Sequence, residues 1–244
     1  MKRLIIIPSR LSATRLPGKP VLKINGKSMI SHVLRKAEEA NIGEVIVAAE
    51  DQEIIDDVKK NGGQAILTKN YHKTGTDRIY EALQKFGSSN IDLIMNLQGD
   101  EPLMNIHDIK SLNNQMRINN SQLGTLASKI LDKGLYDNKN VVKVKTKENF
   151  DNSNFPEAVN FMRKILEQKE NIYHHLGIYC YQKETLEKFV SFTQTPNEIK
   201  NKLEQLRALD NNIKINVALA KSSPIGVDTQ EDFVAIKKIM EYKS

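Results

Sequence analysis

Short apolar runs recur along the first hundred residues, at Leu4–Ile7, Val45–Ala49, Ala65–Leu67 and Ile91–Leu97. Between them the period changes. Met29, Ile30, Val33, Leu34 and Ala37 form one stripe at helical spacing, and Ile54, Ile55 and Val58 form a second. Ile79, Tyr80, Leu83 and Phe86 form a third, behind a Thr76–Asp77 cap. Runs this apolar lack a wet face, so they predict strands buried on both sides, as in parallel sheets. Parallel neighbours need crossovers, and the helical stripes supply them as right-handed βαβ units. Ligands of such sheets bind beyond the carboxyl ends of the strands. The residues just after each apolar run are therefore the first place to look for chemistry.

The second half is patterned differently. Val141–Lys145 alternates like a strand with one wet face, and Tyr173–Tyr181 and Ile213–Ala220 predict further strands. Leu186, Phe189 and Val190 predict a short helix, and Ile199, Leu203 and Leu206 a longer one. Asp151–Gln168 has no assignable period. A final helix follows Thr229, which can cap it, with Asp232 in its first turn and Phe233, Ile236, Ile239 and Met240 facing inward. The expected fold class is α/β: a mostly parallel, Rossmann-like nucleotide-binding sheet flanked by helices, with a small mixed α/β lobe in the second half. No internal repeat or Gly/Ser linker divides the chain.

Composition narrows the class. The 244 residues are 39% hydrophobic and 27% charged, ordinary for a folded soluble chain and far from a disordered one. Cys180 is the only cysteine, which excludes an internal disulfide and fits a reducing, cytoplasmic compartment. The N-terminal "MKRLIIIPSR" starts like a signal peptide, but its apolar stretch ends at Pro8, too short for one. No run approaches the ~20 apolar residues of a membrane span. The net charge of +6 suits phosphate-bearing ligands, yet there is no long basic block, no aromatic–basic interleaving and no Trp, so nucleic acid is not expected as a partner.

The stretch "IPSRLSATRLPGKP", Ile7 to Pro20, leaves the first apolar run and carries Arg10, Arg15 and Lys19 among turn formers. It is no P-loop, because Pro20 follows Gly18-Lys19 and Ala13 stands where the leading Gly belongs. Its cations and inward-turned amides still suit a polyphosphate. "IMNLQGDEP" ends a strand in Gln98, Gly99, Asp100 and Glu101, where a carboxylate can share Mg²⁺ with substrate phosphates or simply make a turn. Asp228, in "PIGVDTQEDF", is a possible second ligand if Thr229 serves as the cap. In "HKTGTDR", Thr74, Gly75 and Thr76 offer polar groups to a base edge and Arg78 a charge to a phosphate. His174 and His175 are adjacent on a predicted strand and point to opposite faces, which argues against a paired metal site.

Together with "HHLGIYCY" and "LEQLR", these segments resemble, in order and spacing, the 3-deoxy-manno-octulosonate cytidylyltransferase family over nearly the whole chain. The first motifs are shared more widely among sugar-acid cytidylyltransferases, and the last two narrow the resemblance. It implies a Mg²⁺-dependent cytidylyl transfer from CTP to an ulosonic acid in a cytoplasmic homodimer. It also implies one cytidylyltransferase domain over 1–244. The nucleotide portion would be about 1–125 and 210–244, and the sugar-binding and dimerisation portion about 126–209. By motif match, Arg10, Arg15 and Lys19 would hold the triphosphate, with Thr74, Gly75 and Arg78 around the nucleotide. Asp100 and Asp228 would bind Mg²⁺, and with Lys19 they would lie closest to the chemistry. Gln98, Arg163, His175, Tyr179, Glu204 and Gln205 would face the sugar acid, Arg163 pairing with its carboxylate.

The chain departs from the family pattern at two places. Ala49-Glu50 replaces a usual Thr-Asp pair, and no role is assigned to Glu50. Asn160 and Met162 flank Phe161 before Arg163, and the Pro- and Trp-containing run that normally follows is missing. An 8-amino relative of the sugar acid, a sialic acid, or nucleotide binding without turnover are the alternative readings.

Overall fold

The computed structural model describes residues 2–12, 15–87, 89–165, 170–223 and 226–242. Contacts divide the chain into two compact units, residues 1–109 with 224–244, and residues 110–223. The portion edges expected near 125 and 210 both fall inside the second unit.

In chain order the first unit contains β1 (Arg3–Ser9), a 3₁₀ turn at Lys19–Val21, the ribbon strands β2 (Lys23–Ile24) and β3 (Lys27–Ser28), and α1 (Met29–Glu39). It continues with β4 (Glu44–Ala49), α2 (Gln52–Lys60), β5 (Ala65–Leu67), α3 (Gly75–Phe86) and β6 (Leu93–Asn96). The helix α4 (Ile106–Asn119) crosses into the second unit. That unit holds β7 (Leu123–Ser128), α5 (Gly134–Asp137), β8 (Lys143–Thr146), β9 (Ala158–Met162), β10 (Ile172–Gln182), α6 (Lys183–Ser191), α7 (Pro196–Asn201), α8 (Leu206–Asp210) and β11 (Ile215–Leu219). The chain then returns to the first unit as α9 (Gln230–Tyr242).

In the first unit the strand order is β6-β1-β4-β5, parallel throughout. Leu4–Ile7 and Ile46–Ala49 are fully buried, as strands covered on both faces must be. Helices α1, α2 and α3 bury the residues of the predicted stripes, apart from Tyr80 and Phe86, which stay partly exposed. The cap of α3 sits two residues earlier than expected: Thr74 Oγ1 accepts the amide of Asp77, while Thr76 is buried in the first turn. Thr229 does cap α9, accepting from the Asp232 amide at 3.2 Å, while the Asp232 carboxylate accepts from the amides of Asp228 and Thr229. Val227, Phe233 and Ile236 pack with Leu16, Ile24 and Met29, which draws the segment before α9 onto the cationic loop.

The second unit is mixed. β7 pairs antiparallel with β10 and parallel with β11, and β8 pairs antiparallel with β10 and β9. The expected Val141–Lys145 strand forms at Lys143–Thr146, and β9 lies within the stretch that has no assignable period. The predicted helix over Ile199–Leu206 is two helices, because Lys202 adopts a left-handed φ of 52° that ends α7. The end of the unassigned stretch, residues 166–168, lies outside the described residues.

Candidate active site

The carboxyl ends of β1 and β6 open onto a cleft of about 310 Å³ in the first unit. Arg10, Arg15, Lys19, Thr74, Gly75, Arg78, Gln98, Asp100 and Asp228 all line it, so the expected nucleotide and metal residues meet in one place. Backbone makes this possible. Gly18, at φ 70°, donates its amide to Leu11 O at 3.0 Å and closes the base of the cationic loop. Ala13 of that loop lies outside the described residues. Gly99 passes so close to β1 that a Cβ would sit 2.9 Å from Pro8 O, leaving no room for a side chain there.

Lys19 is the centre of charge. Its Nζ lies 2.6 Å from Asp100 Oδ2 and 3.6 Å from Asp228 Oδ1, and donates to Val227 O at 2.8 Å. Arg15 reaches Asp228 at 2.9 Å. Val227 N donates to Asp100 O at 2.9 Å, which ties the approach to α9 to the end of β6. Thr229 takes the capping work, so the Asp228 carboxylate is turned to these cations. Arg10 is exposed at the rim. Thr74 and Gly75 place the first turn of α3, with its amides and positive dipole end, on the cleft wall.

Two carboxylates converging on one ammonium form a hard-oxygen donor pair. That set fits Mg²⁺, which takes one or two carboxylates and completes its shell with water and substrate phosphates. A third carboxyl supports the fit. Glu101 Oε2 is buried with no hydrogen-bond partner among the described residues. Its pKa is pushed up to about 8, by burial first, then by Asp100 and Asp228, with Lys19 opposing. At neutral pH Glu101 therefore holds its proton, and the charges of Asp100 and Asp228 are set against Lys19 and Arg15. Among the described residues no group of three or more His, Cys, Asp or Glu is placed to hold a metal by itself.

Arg78 is placed differently from Arg10 and Arg15. Its guanidinium is 4% exposed and ion-paired with Glu50, and Nη1 also donates to Thr68 Oγ1 at 2.6 Å and to Lys69 O at 3.3 Å. Glu50, unassigned from sequence, is thus its charge partner. His72 also lines the cleft, ion-paired with Glu81, which accepts from Lys69 N at 3.0 Å and meets Lys85 at 2.8 Å. Burial pushes the Glu81 pKa up, but hydrogen bonds from Lys85, His72 and the Lys69 amide outweigh it and hold the carboxyl at about 2. Sequence reasoning passes over His72 although it opens "HKTGTDR"; nine residues separate it from Glu81, a spacing with no helical or strand meaning.

The second unit gathers most of the remaining candidates. The ring centroids of His175 and Tyr179 are 5.5 Å apart, where four residues of regular strand would separate them by ~13 Å. A register shift between Leu176 and Tyr179 folds them together. Thr125 donates its one proton to Ile178 O at 2.7 Å, so it accepts from His175 Nε2 at 3.0 Å and fixes the tautomer. Burial, reinforced by His174, holds the His175 pKa down at about 3, so the ring is neutral. Tyr179 is pushed well above its usual value by burial, with Tyr181 and Glu204 adding to it. Glu204 and Gln205 occupy the turn between α7 and α8. Arg163 donates to the carbonyls of Asn201, Lys202 and Lys139, each at 3.3 Å, and so braces the end of α7 just before that turn. Gln98 is the one expected sugar-facing residue in the first unit.

A Rossmann-like unit with a cationic loop after its first strand and paired acidic groups beyond the strand ends defines a nucleotidyltransferase. The cytidylyltransferase family profile matches residues 4–215. The chain is 39% identical to the 3-deoxy-manno-octulosonate cytidylyltransferase of Bartonella tribocorum, over 98% of this chain and 99% of that one. It is 40% identical to the enzyme of the same name from Brucella abortus, over 95% and 93%. Its fold matches CMP:2-keto-3-deoxy-manno-octonic acid synthetase, solved in complex with CTP, at TM-score 0.90 and 32% identity over the full length of both chains. A 4-diphosphocytidyl-2C-methyl-D-erythritol synthase from Anaerococcus prevotii shares the fold at TM-score 0.65 and 16% identity, covering 98% and 99%. The chain belongs to the 3-deoxy-manno-octulosonate cytidylyltransferase family.

Proposed function

We propose that the protein transfers the cytidylyl group of CTP to 3-deoxy-D-manno-octulosonate (Kdo), giving CMP-Kdo and pyrophosphate for lipopolysaccharide synthesis. The observation that carries this reading is the meeting of Arg15, Lys19, Asp100 and Asp228 in one cleft beside the first turn of α3. The anomeric hydroxyl oxygen of the acceptor attacks the α-phosphorus. One P–O bond forms, the bond to the β-phosphate breaks, pyrophosphate leaves and the hydroxyl proton is released. Such a reaction needs charge neutralisation and in-line placement rather than a covalent catalyst.

Arg10, Arg15 and Lys19 neutralise the triphosphate, and the amides at Thr74 and Gly75 add a positive dipole end. Lys19, held 2.6 Å from Asp100 in the cleft, would offset the charge that builds on the phosphate oxygens. Asp100 and Asp228 are the residues that would hold Mg²⁺. Bound there, the ion would offset phosphate charge and fix the orientation of the α-phosphate. In the second unit, neutral His175, whose Nε2 proton is taken by Thr125, would offer Nδ1 as an acceptor to a sugar hydroxyl, and Tyr179, Glu204 and Gln205, with Gln98 of the first unit, would complete the acceptor's contacts. Arg163 would give up carbonyl partners to meet the sugar carboxylate. Its altered surroundings, with Asn160 and Met162 beside Phe161, support a related ulosonic acid as the second reading. We place the enzyme in the cytoplasm as a homodimer; no helix among the described residues is long and apolar enough to cross a membrane.

The test is pyrophosphate release from CTP with Kdo, with and without Mg²⁺, beside UTP, ATP, 8-amino-Kdo and a sialic acid. Release that needs CTP, Kdo and Mg²⁺ together is the expected result. Release with another acid alone would keep the reaction and change the acceptor. Bound CTP without release in any pairing would overturn the catalytic reading.

A further inference from the structure

The base of the cationic loop is latched to the end of β4 by two consecutive carboxylates. Asp51 Oδ2 accepts from Leu11 N at 2.8 Å, and Glu50 Oε1 accepts from Ser12 Oγ at 3.1 Å. The same Glu50 uses its other oxygen, Oε2, to pair with Arg78 in the first turns of α3. Both ends of this contact are well buried, Arg78 at 4% and Glu50 at 11% exposure. Arg78 in turn grips Thr68 Oγ1 and Lys69 O after β5. One carboxylate therefore touches the loop that follows β1 with one oxygen and the helix that follows β5 with the other. These are the two elements whose cations and amides line the cleft.

We infer that Glu50 is a positioning residue that sets the cationic loop against the first turn of α3, and that Arg78 is its anchor. Three features support this. The charge of Arg78 is already matched by Glu50, and both Nη1 protons go to Thr68 and Lys69, so three of its five donors are committed to holding β4, β5 and α3 together. Ser12 lies two residues beyond Arg10, so holding Ser12 restrains where that cation leaves β1. The closing bond from Gly18 N to Leu11 O transmits the same restraint to Lys19, the next residue. The two oxygens of the glutamate carboxylate reach one partner each. The inference rests on the proposed role of the loop in CTP binding, and it adds that the loop's placement is set through Glu50.

CTP binding is measured by calorimetry without acceptor, and KM values for CTP and acceptor are measured separately, on wild type, Ser12→Ala, Glu50→Gln, Glu50→Asp and the Ser12→Ala/Glu50→Gln pair. Ser12 is exposed, so its variant folds whatever happens to the buried pair. Glu50→Gln is expected to weaken CTP binding about ten-fold, the size of a lost hydrogen bond to a charged group, with the acceptor KM nearly unchanged. Ser12→Ala is expected to weaken it several-fold, and the double variant to be no weaker than Glu50→Gln alone. Glu50→Asp should recover part of the loss. Additive effects of Ser12→Ala and Glu50→Gln would overturn the inference, as would unchanged CTP affinity in Ser12→Ala. Failure of wild type itself to bind CTP would instead overturn the proposed function on which it rests.

Discussion

Lys19 stands between two carboxylates, 2.6 Å from one and 3.6 Å from the other, and this arrangement decides what single substitutions do. Asp100→Asn keeps the shape of the side chain and a hydrogen-bond acceptor for Lys19, while removing the charge that a divalent cation needs. Turnover is expected to fall roughly 10²- to 10³-fold, the scale of losing one electrostatic contact in a closed site. The thermal midpoint and CTP affinity should stay close to wild type. Steady-state kinetics beside a melting curve reads both. A variant that turns over normally would take Asp100 out of the mechanism. A large drop in the melting curve would make it a structural residue. Such residue-level roles are partly legible from sequence. Asp228 is recognisable because Thr229 can do the capping, and the hydrogen bond from the Asp232 amide to Thr229 Oγ1 is that arrangement. Glu50 is not, because its partners Ser12 and Arg78 lie 38 and 28 residues away in sequence, and only the fold brings them together.

At the scale of elements, legibility follows the period. The strands and helices of the first unit announce themselves because each is either buried on both faces or striped, so the hydrophobic pattern and the backbone agree. β7 escapes the pattern: its Leu123–Ser128 run includes Gly124, Thr125 and Ser128, which read as polar or loop-forming although every residue is buried. Gly124 is there because a Cβ would meet Met116 Sδ at 2.5 Å. The predicted Ile199–Leu206 helix fails for a related reason. Its apolar spacing is genuine, but Lys202 turns left-handed and starts a second helix that brings Glu204 and Gln205 into the turn. That break is held by the buried pair of Arg207 and Glu198, 2.6 and 2.8 Å between nitrogen and oxygen, with Arg207 also 4.7 Å over the Phe189 ring. Arg207→Met leaves Glu198 charged and buried, with only Gln194 and the Thr195 amide to satisfy it. A loss of about 3–5 kcal/mol is expected in urea unfolding, the usual result of stranding one half of a buried pair. If enough enzyme stays folded to assay, the acceptor KM should rise more than that of CTP. A loss below about 1 kcal/mol, the surface-pair range, would mean that the turn is held by other contacts.

For the whole molecule, acid stability follows from where the buried titrating groups lie. His175 is neutral in the fold, with its pKa held by burial near 3 against an ordinary 6.5. It is enclosed by Thr125 of β7, Phe161 of β9 and Tyr179 of β10, with His174 adding its charge. An unfolded chain takes up this proton below about pH 6.5 and the folded one does not. The stabilisation is therefore complete above 6.5 and is lost as pH falls toward 3, by at most about 1.4 kcal/mol per pH unit. Glu81 acts lower. Its pKa is held near 2 against 4.5, so its contribution is present above 4.5 and disappears between there and 2. Glu198 acts in the same direction below 4.5: burial pushes its pKa up, and the hydrogen bonds from Arg207 and Gln194 more than offset that push. The acid limb should thus have two stages: an upper one from pH 6.5 to 4.5, where His174, also pushed down by burial, adds to His175 and Glu101, pushed up to about 8, opposes them, and a steeper one below it. His175→Gln keeps a donor for Thr125 but has no proton to take up, so its unfolding free energy should lose, relative to wild type, a pH slope of up to about 1.4 kcal/mol per unit across the upper stage. Glu81→Gln should leave that stage intact and lessen the steeper one. Urea unfolding at half-unit pH steps separates the two. Wild type and His175→Gln running parallel across the upper stage would show that His175 carries none of it, and the buried neutral imidazole would then have to be reassigned.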